Sequence, residues 1–163
     1  MKKFGIMAAM VVISFILQTS LFNFFDIFGA VPNISLILVV IFAMMSDGVT
    51  GGIIGIMTGI LYDTMIYDVF GIYTLIYFLI GSIIGTYSDN MLRENFIAYC
   101  AVTSISTAAM HFLLFIILFF LRYNVGNAGS IISIIFIEAV FNTILVVFLV
   151  KFIIFIFNKL NVK

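Results

Sequence analysis

Residues 95–121 read NFIAYCAVTSISTAAMHFLLFIILFFL and contain no Asp, Glu, Lys or Arg. A membrane-spanning helix needs about 20 consecutive apolar residues, and this stretch is longer than that. Three further stretches lack the same four residue types: Phe4–Phe25, Ile27–Ser46 and Val69–Ser88. The whole 163-residue chain carries 7 Lys+Arg and 7 Asp+Glu, for a formal net charge of zero. Hydrophobic residues make up 65% of it, against about 45–50% in a soluble domain. Too little polar surface remains to cover a soluble fold. There is no basic patch to hold nucleic acid. The single cysteine, Cys100, cannot build a disulfide framework. Because the runs are continuously apolar rather than alternating, a β-barrel is disfavoured.

The expected fold is an all-α polytopic membrane protein with six transmembrane helices. The spans are expected at about 4–21, 32–46, 49–67, 70–88, 96–121 and 130–156. The third is Gly-rich and carries Asp63; the sixth carries Glu138 and Lys151. Merging or dropping one of these two gives a five-span alternative. Six spans of about 20 residues leave only ends and loops, so residues 1–163 form a single transmembrane domain. Lys2, Lys3, Arg93, Lys159 and Lys163 all fall on one side of such a layout, and Lys151 can snorkel toward it. Only Arg122 falls on the other. The positive-inside bias therefore puts both termini in the cytoplasm. The basic start and apolar run of Met1–Leu17 resemble a signal peptide, but no small-residue cleavage pattern follows, so an uncleaved first helix is expected. Trp is absent, leaving Tyr62, Tyr67, Tyr73 and Tyr123 to mark the outer interface and Tyr87 and Tyr99 the inner one. Phe22–Val31 is apolar but too short to span, and is expected along the outer interface or dipping back. Pro32 then suits the first turn of the second helix, where a missing N–H costs nothing.

The sharpest pattern is in the third span, where Gly51, Gly55, Gly59 and Asp63 recur every four residues. At 3.6 residues per turn this row stays on one side of the helix. Glycines there let another backbone approach closely, which is how helices pack without a hydrophobic driving force. Gly81 and Gly85 repeat the unit in the fourth span. Such glycines serve packing within the chain or, alternatively, docking of a partner helix. Asp63 lies near a helix end, where it either caps a neighbouring helix, faces water or joins a functional cluster with Asp68.

His111 and Glu138 lie at similar distances from the turn between the last two spans, so they are expected at similar depth. Thr103, Ser104 and Thr107 form a polar stripe below His111, and Asn142 is one turn from Glu138. A His111–Glu138 hydrogen bond or ion pair in the bundle interior follows. Its plain use is to satisfy two costly groups; a proton relay is the sharper one. Ser14 and Gln18 share a face of the first span as interhelical hydrogen-bond donors and acceptors. No GxSxG, HExxH, P-loop or CxxC is present, and His, Cys and carboxylates are too scattered for a metal site. No cofactor is expected.

Gln18-Thr19 closes the first span, a short aromatic loop follows, and Pro32-Asn33 opens ISLILVVIFAMM. Gly48, Gly52, the Gly55-x-x-x-Gly59-x-x-x-Asp63 series, Gly71, Gly81 and Gly85 come next. This ordered set resembles the bacterial rod shape-determining protein family MreD over nearly the whole chain. The resemblance implies a non-enzymatic inner-membrane protein that acts with MreC, MreB filaments, the glycosyltransferase RodA and a class B penicillin-binding protein. It implies a role in rod shape through lateral peptidoglycan synthesis. It also implies a fold similar to the six-helix S-component of energy-coupling factor vitamin transporters. Gln18, Pro32, Asn33, Asp63 and Asp68 are then expected to form a concave outer surface bordered by Phe22–Val31 that receives an MreC-like partner. Gly51, Gly55 and Gly59 would let helices or the partner pack closely. The alternative is a true S-component binding a vitamin-like molecule among Asn23, Asp26, Asp68, Asn124 and Asn127.

Overall fold

The computed structural model describes residues 2–20, 31–64, 69–88, 95–123 and 128–160. Six α-helices are found there: α1 (Lys2–Ser20), α2 (Ile34–Met44), α3 (Gly48–Asp63), α4 (Ile72–Tyr87), α5 (Phe96–Phe120) and α6 (Ala128–Lys159). Residues 22–30 of the expected interfacial segment Phe22–Val31, and Tyr67, Asp68, Arg93, Asn124, Asn127 and Lys163, lie outside the described residues. By length and composition α1, α5 and α6 can each cross a membrane. The other three are shorter apolar helices of 11, 16 and 16 residues.

The centre of the bundle is α2. Its sequence, ISLILVVIFAM, is apolar on every face but for Ser35, and every one of its residues is buried. A helix that is hydrophobic all round belongs in an interior, and α2 touches each of the other helices. Ile37, Ile41 and Phe42 pack with Met7 and Val11 of α1, Tyr99 of α5 and Val146, Val150 and Ile153 of α6. Leu36 and Val39 pack with Ile76, Tyr77 and Ile80 of α4 and Met110 of α5. At 1.5 Å per residue α2 is only about 17 Å long, well short of the expected 32–46 span. Its start is displaced because the Asn33 side chain accepts the Leu36 N–H at 3.0 Å and so becomes the N-cap. Pro32 consequently stands just before the cap, not in the first turn.

Helices α3 and α4 form the closest pair, and glycine makes this possible. A Cβ on Gly51 would strike the Gly81 carbonyl, one on Gly55 the Tyr77 carbonyl, and one on Gly59 the Thr74 backbone. Conversely, a Cβ on Gly81 would strike the Gly51 carbonyl, and one on Gly85 would come within 2.6 Å of the Asp47 carbonyl. Both helices are shorter than the expected 49–67 and 70–88. The first ends where the Asp63 side chain turns to the start of α4. The second cannot begin earlier because Gly71 holds φ +106°, a left-handed conformation that strains other residues.

Lys3 Nζ donates to the Met45 carbonyl at 2.9 Å, and Lys151 Nζ sits 5.8 Å from the Phe96 ring centroid. Phe42 stacks on Phe157. The starts of α1 and α5 and the ends of α2 and α6 therefore gather at one end of the bundle. At the opposite end α5 closes with the Tyr123 N–H on the Leu118 carbonyl and the Arg122 N–H on the Phe119 carbonyl. This is a Schellman motif, with Arg122 at φ 57° in the position glycine usually takes. Tyr99 is 1% exposed and belongs to the core. It is not an interfacial anchor, because its position on α5 faces α2 and α6.

Candidate functional site

A connected set of buried polar side chains ties α1, α2, α4, α5 and α6 together at the end where α2 begins. Gln18 Nε2 donates to the Pro32 carbonyl at 2.8 Å, and Gln18 Oε1 accepts the Ile34 N–H at 2.9 Å. One amide thus satisfies two backbone groups at a helix start, where intrahelical partners are missing. The Asn33 N–H donates to Asn142 Oδ1 at 2.8 Å. The Asn33 amide nitrogen donates to the Tyr77 hydroxyl at 3.0 Å and approaches Met110 Sδ at 3.5 Å. Asn142 Nδ2 donates to Thr107 Oγ1 at 3.0 Å, and Thr107 Oγ1 donates onward to the Thr103 carbonyl. Glu138 Oε1 is 3.5 Å from Asn142 Nδ2, and Glu138 Oε2 is 2.7 Å from His111 Nε2. An unpaired polar group in apolar surroundings costs several kcal/mol, so each of these bonds fixes a helix position.

Asp63 performs a separate task nearby. Its carboxylate is 2% exposed and accepts the backbone N–H groups of Gly71 (3.0 Å), Tyr73 (2.9 Å) and Thr74 (3.0 Å), plus the Thr74 hydroxyl (2.6 Å). A carboxylate at a helix N-terminus meets both unsatisfied donors and the positive end of the dipole. Asp63 therefore caps α4 from the end of α3, across the glycine seam. Tyr62, Tyr73 and Tyr77 pack against one another in tilted and edge-to-face contacts, with ring centroids 4.8–5.9 Å apart.

The sequence-predicted residues divide into three groups. Gln18, Pro32, Asn33, His111 and Glu138 meet in or beside one network. Gly51, Gly55, Gly59, Gly81 and Gly85 line the α3–α4 seam, so their faces are occupied by this chain's own backbone. Asp63 joins α3 to α4. Gln18, Asn33 and Asp63 are inward-facing groups already hydrogen-bonded within the chain; they are not members of an open outer surface, because each satisfies backbone donors or acceptors at a helix start. Tyr77 and Met110 were not singled out by sequence. Each looks like one more apolar residue in an apolar run, and no periodicity announces its contact with Asn33.

Chemically the network is built to hold position. Among the described residues its ionisable pair is His111–Glu138, and its other side chains are amides, hydroxyls and the Met110 thioether. Among the described residues no three His, Cys, Asp or Glu side chains converge as a metal site.

The comparison with family models identifies the chain. The model described as rod shape-determining protein MreD matches residues 1–159. The chain belongs to the MreD family. Neither a curated protein nor a solved structure matches it significantly. Membership supports a role in rod shape determination, and the apolar helices suit the membrane location of the family.

Proposed function

We propose that this chain is a non-enzymatic membrane scaffold that binds an MreC-like protein. Through that contact it supports lateral peptidoglycan synthesis with MreB, a RodA-type glycosyltransferase and a class B penicillin-binding protein. The observation that carries this is the family match over residues 1–159. The geometry agrees with a scaffold: Gln18, Asn33, Asn142 and Asp63 spend their hydrogen bonds on holding helices in place.

Residues 1–163 act as one transmembrane domain of six spans with both termini cytoplasmic. Supporting this, Lys3, Lys151 and Lys159 cluster toward one end of the bundle and Arg122 lies toward the other, in keeping with the positive-inside rule. The short α2 needs no lipid-facing length, because irregular backbone at membrane depth is tolerated where protein surrounds it. A vitamin-binding S-component needs several polar groups converging on a void, whereas Gln18, Asn33 and Asp63 meet groups of their own chain.

The test is co-purification with the MreC protein encoded in the same genome, from membranes, with full-length chains. Stable co-elution in mild detergent is expected. A well-folded chain that never retains MreC overturns the scaffold reading.

A further inference from the structure

An apolar groove of about 630 Å³ lies between α5 and α6. Ala108 and Ala139 line it together with Phe112, Phe115 and Phe136, and His111 supplies its imidazole. Phe136 is 71% exposed and Phe112 is 63% exposed. Only 28% of the spanning window of α6 and 22% of that of α5 is buried inside this chain.

One ring nitrogen of His111 is committed to Glu138. Its Nδ1 has no hydrogen-bond partner among the described residues, while the side chain remains 17% exposed. An imidazole nitrogen within hydrocarbon calls for a partner. The depth of His111 limits what that partner is. It lies about 22 Å from the start of α5 and about 14 Å from its end, at 1.5 Å per residue. With α5 centred in a bilayer whose hydrocarbon half-thickness is about 15 Å, His111 sits about 4 Å from the midplane. A lipid headgroup is held more than about 10 Å away, and an acyl chain has no polar atom to offer. A transmembrane helix carrying a hydroxyl or carboxamide side chain at mid-depth satisfies both the Phe-walled groove and the nitrogen. Such side chains both donate and accept, so they match His111 whichever nitrogen bears the proton.

We infer that the α5–α6 groove is the docking slot for a partner's transmembrane helix that presents a Ser, Thr, Asn or Gln side chain to His111. This rests on the proposed scaffold role and assigns its contact surface. It replaces the glycine faces of α3 and α4, which α4 and α3 already fill.

The test places a photo-crosslinking amino acid at Phe112 or Phe136 of the full chain, co-expressed with the MreC encoded in the same genome. Ile13 on α1 and Leu75 on α4 serve as exposed controls. Crosslinks to MreC from the groove positions alone are expected. The paired variant H111L/E138L removes both polar groups together. Retention of MreC should weaken by about three- to twentyfold, the range for one interhelical hydrogen bond in a membrane. Crosslinks to MreC only at the controls overturn the slot while leaving the scaffold reading intact, as do crosslinks at Phe136 to lipid or to a second copy of this chain alone. Unaltered MreC retention by the paired variant, with unchanged thermal stability, overturns the role of His111. Failure of the unsubstituted chain to retain MreC at all overturns the slot and the scaffold reading together.

Discussion

Replacing Asp63 separates a structural cap from a contact residue. Four donors converge on this carboxylate, three of them backbone N–H groups of the loop and first turn of α4. Asp63→Ala removes every acceptor. Loss of an ordinary N-cap costs about 0.5–2 kcal/mol, and each buried donor left unsatisfied costs about 1–3 kcal/mol. Water reaching the helix end offsets part of this, so about 3 kcal/mol is expected. For a chain of this size that is about 6–12 °C in melting temperature. Asp63→Asn is informative beside it. Oδ2 holds Gly71 and both Thr74 donors, whereas Oδ1 holds only Tyr73. An amide placed with its oxygen at the Oδ2 position keeps three of the four bonds. About half the loss is expected, in the order wild type above Asp63→Asn above Asp63→Ala. Thermal unfolding followed by size-exclusion fluorescence in mild detergent reads this directly. MreC retention should fall only in proportion to the folded fraction. An Asp63→Ala protein that melts with the wild type yet loses MreC would refute the capping role.

Further expectations follow from the seam and the network. Gly55→Ala puts a methyl group onto the Tyr77 carbonyl, so a loss of about 3 kcal/mol or more, or failure to accumulate in the membrane, is expected. Gly5→Ala, with nothing within 4 Å of its Cβ, should be neutral or slightly stabilising in the same assay. Gly71→Ala has space for its methyl but must hold φ +106°, and should cost about 1–2 kcal/mol through strain alone. Asn142→Leu strips Asn33 and Thr107 of partners and should cost about 2–4 kcal/mol in thermal unfolding. Glu138→Gln keeps an acceptor for His111 and should melt above Glu138→Leu, which leaves the imidazole unpaired.

The sequence made the membrane class, the helix order and the glycine row legible, because uninterrupted apolar runs and fixed spacing are local signals. The similar depth of His111 and Glu138 was also legible, since two antiparallel helices joined by a short turn reduce to arithmetic, and the side chains lie 2.7 Å apart. Whether the glycines meet a partner or their own chain was not legible, since close backbone approach looks alike from either side. The role of Asp63 was narrowed to capping or contact by its place near a helix end, but its partners lie beyond a loop whose path spacing does not reveal. The link from Asn33 to Asn142 joins positions 109 residues apart, and no local pattern encodes it. The shortness of α2 is not written in the sequence for a related reason. Apolar length bounds a span, whereas the Asn33 cap and the surrounding helices decide where this one starts and stops.

The central claim, that this chain serves rod shape, is tested most directly by depleting it in its own host and measuring cell width and curvature over successive divisions. Progressive widening and rounding, reversed by restoring the full chain, is the predicted result. Rods of normal dimensions, together with a new requirement for an external vitamin, would contradict it.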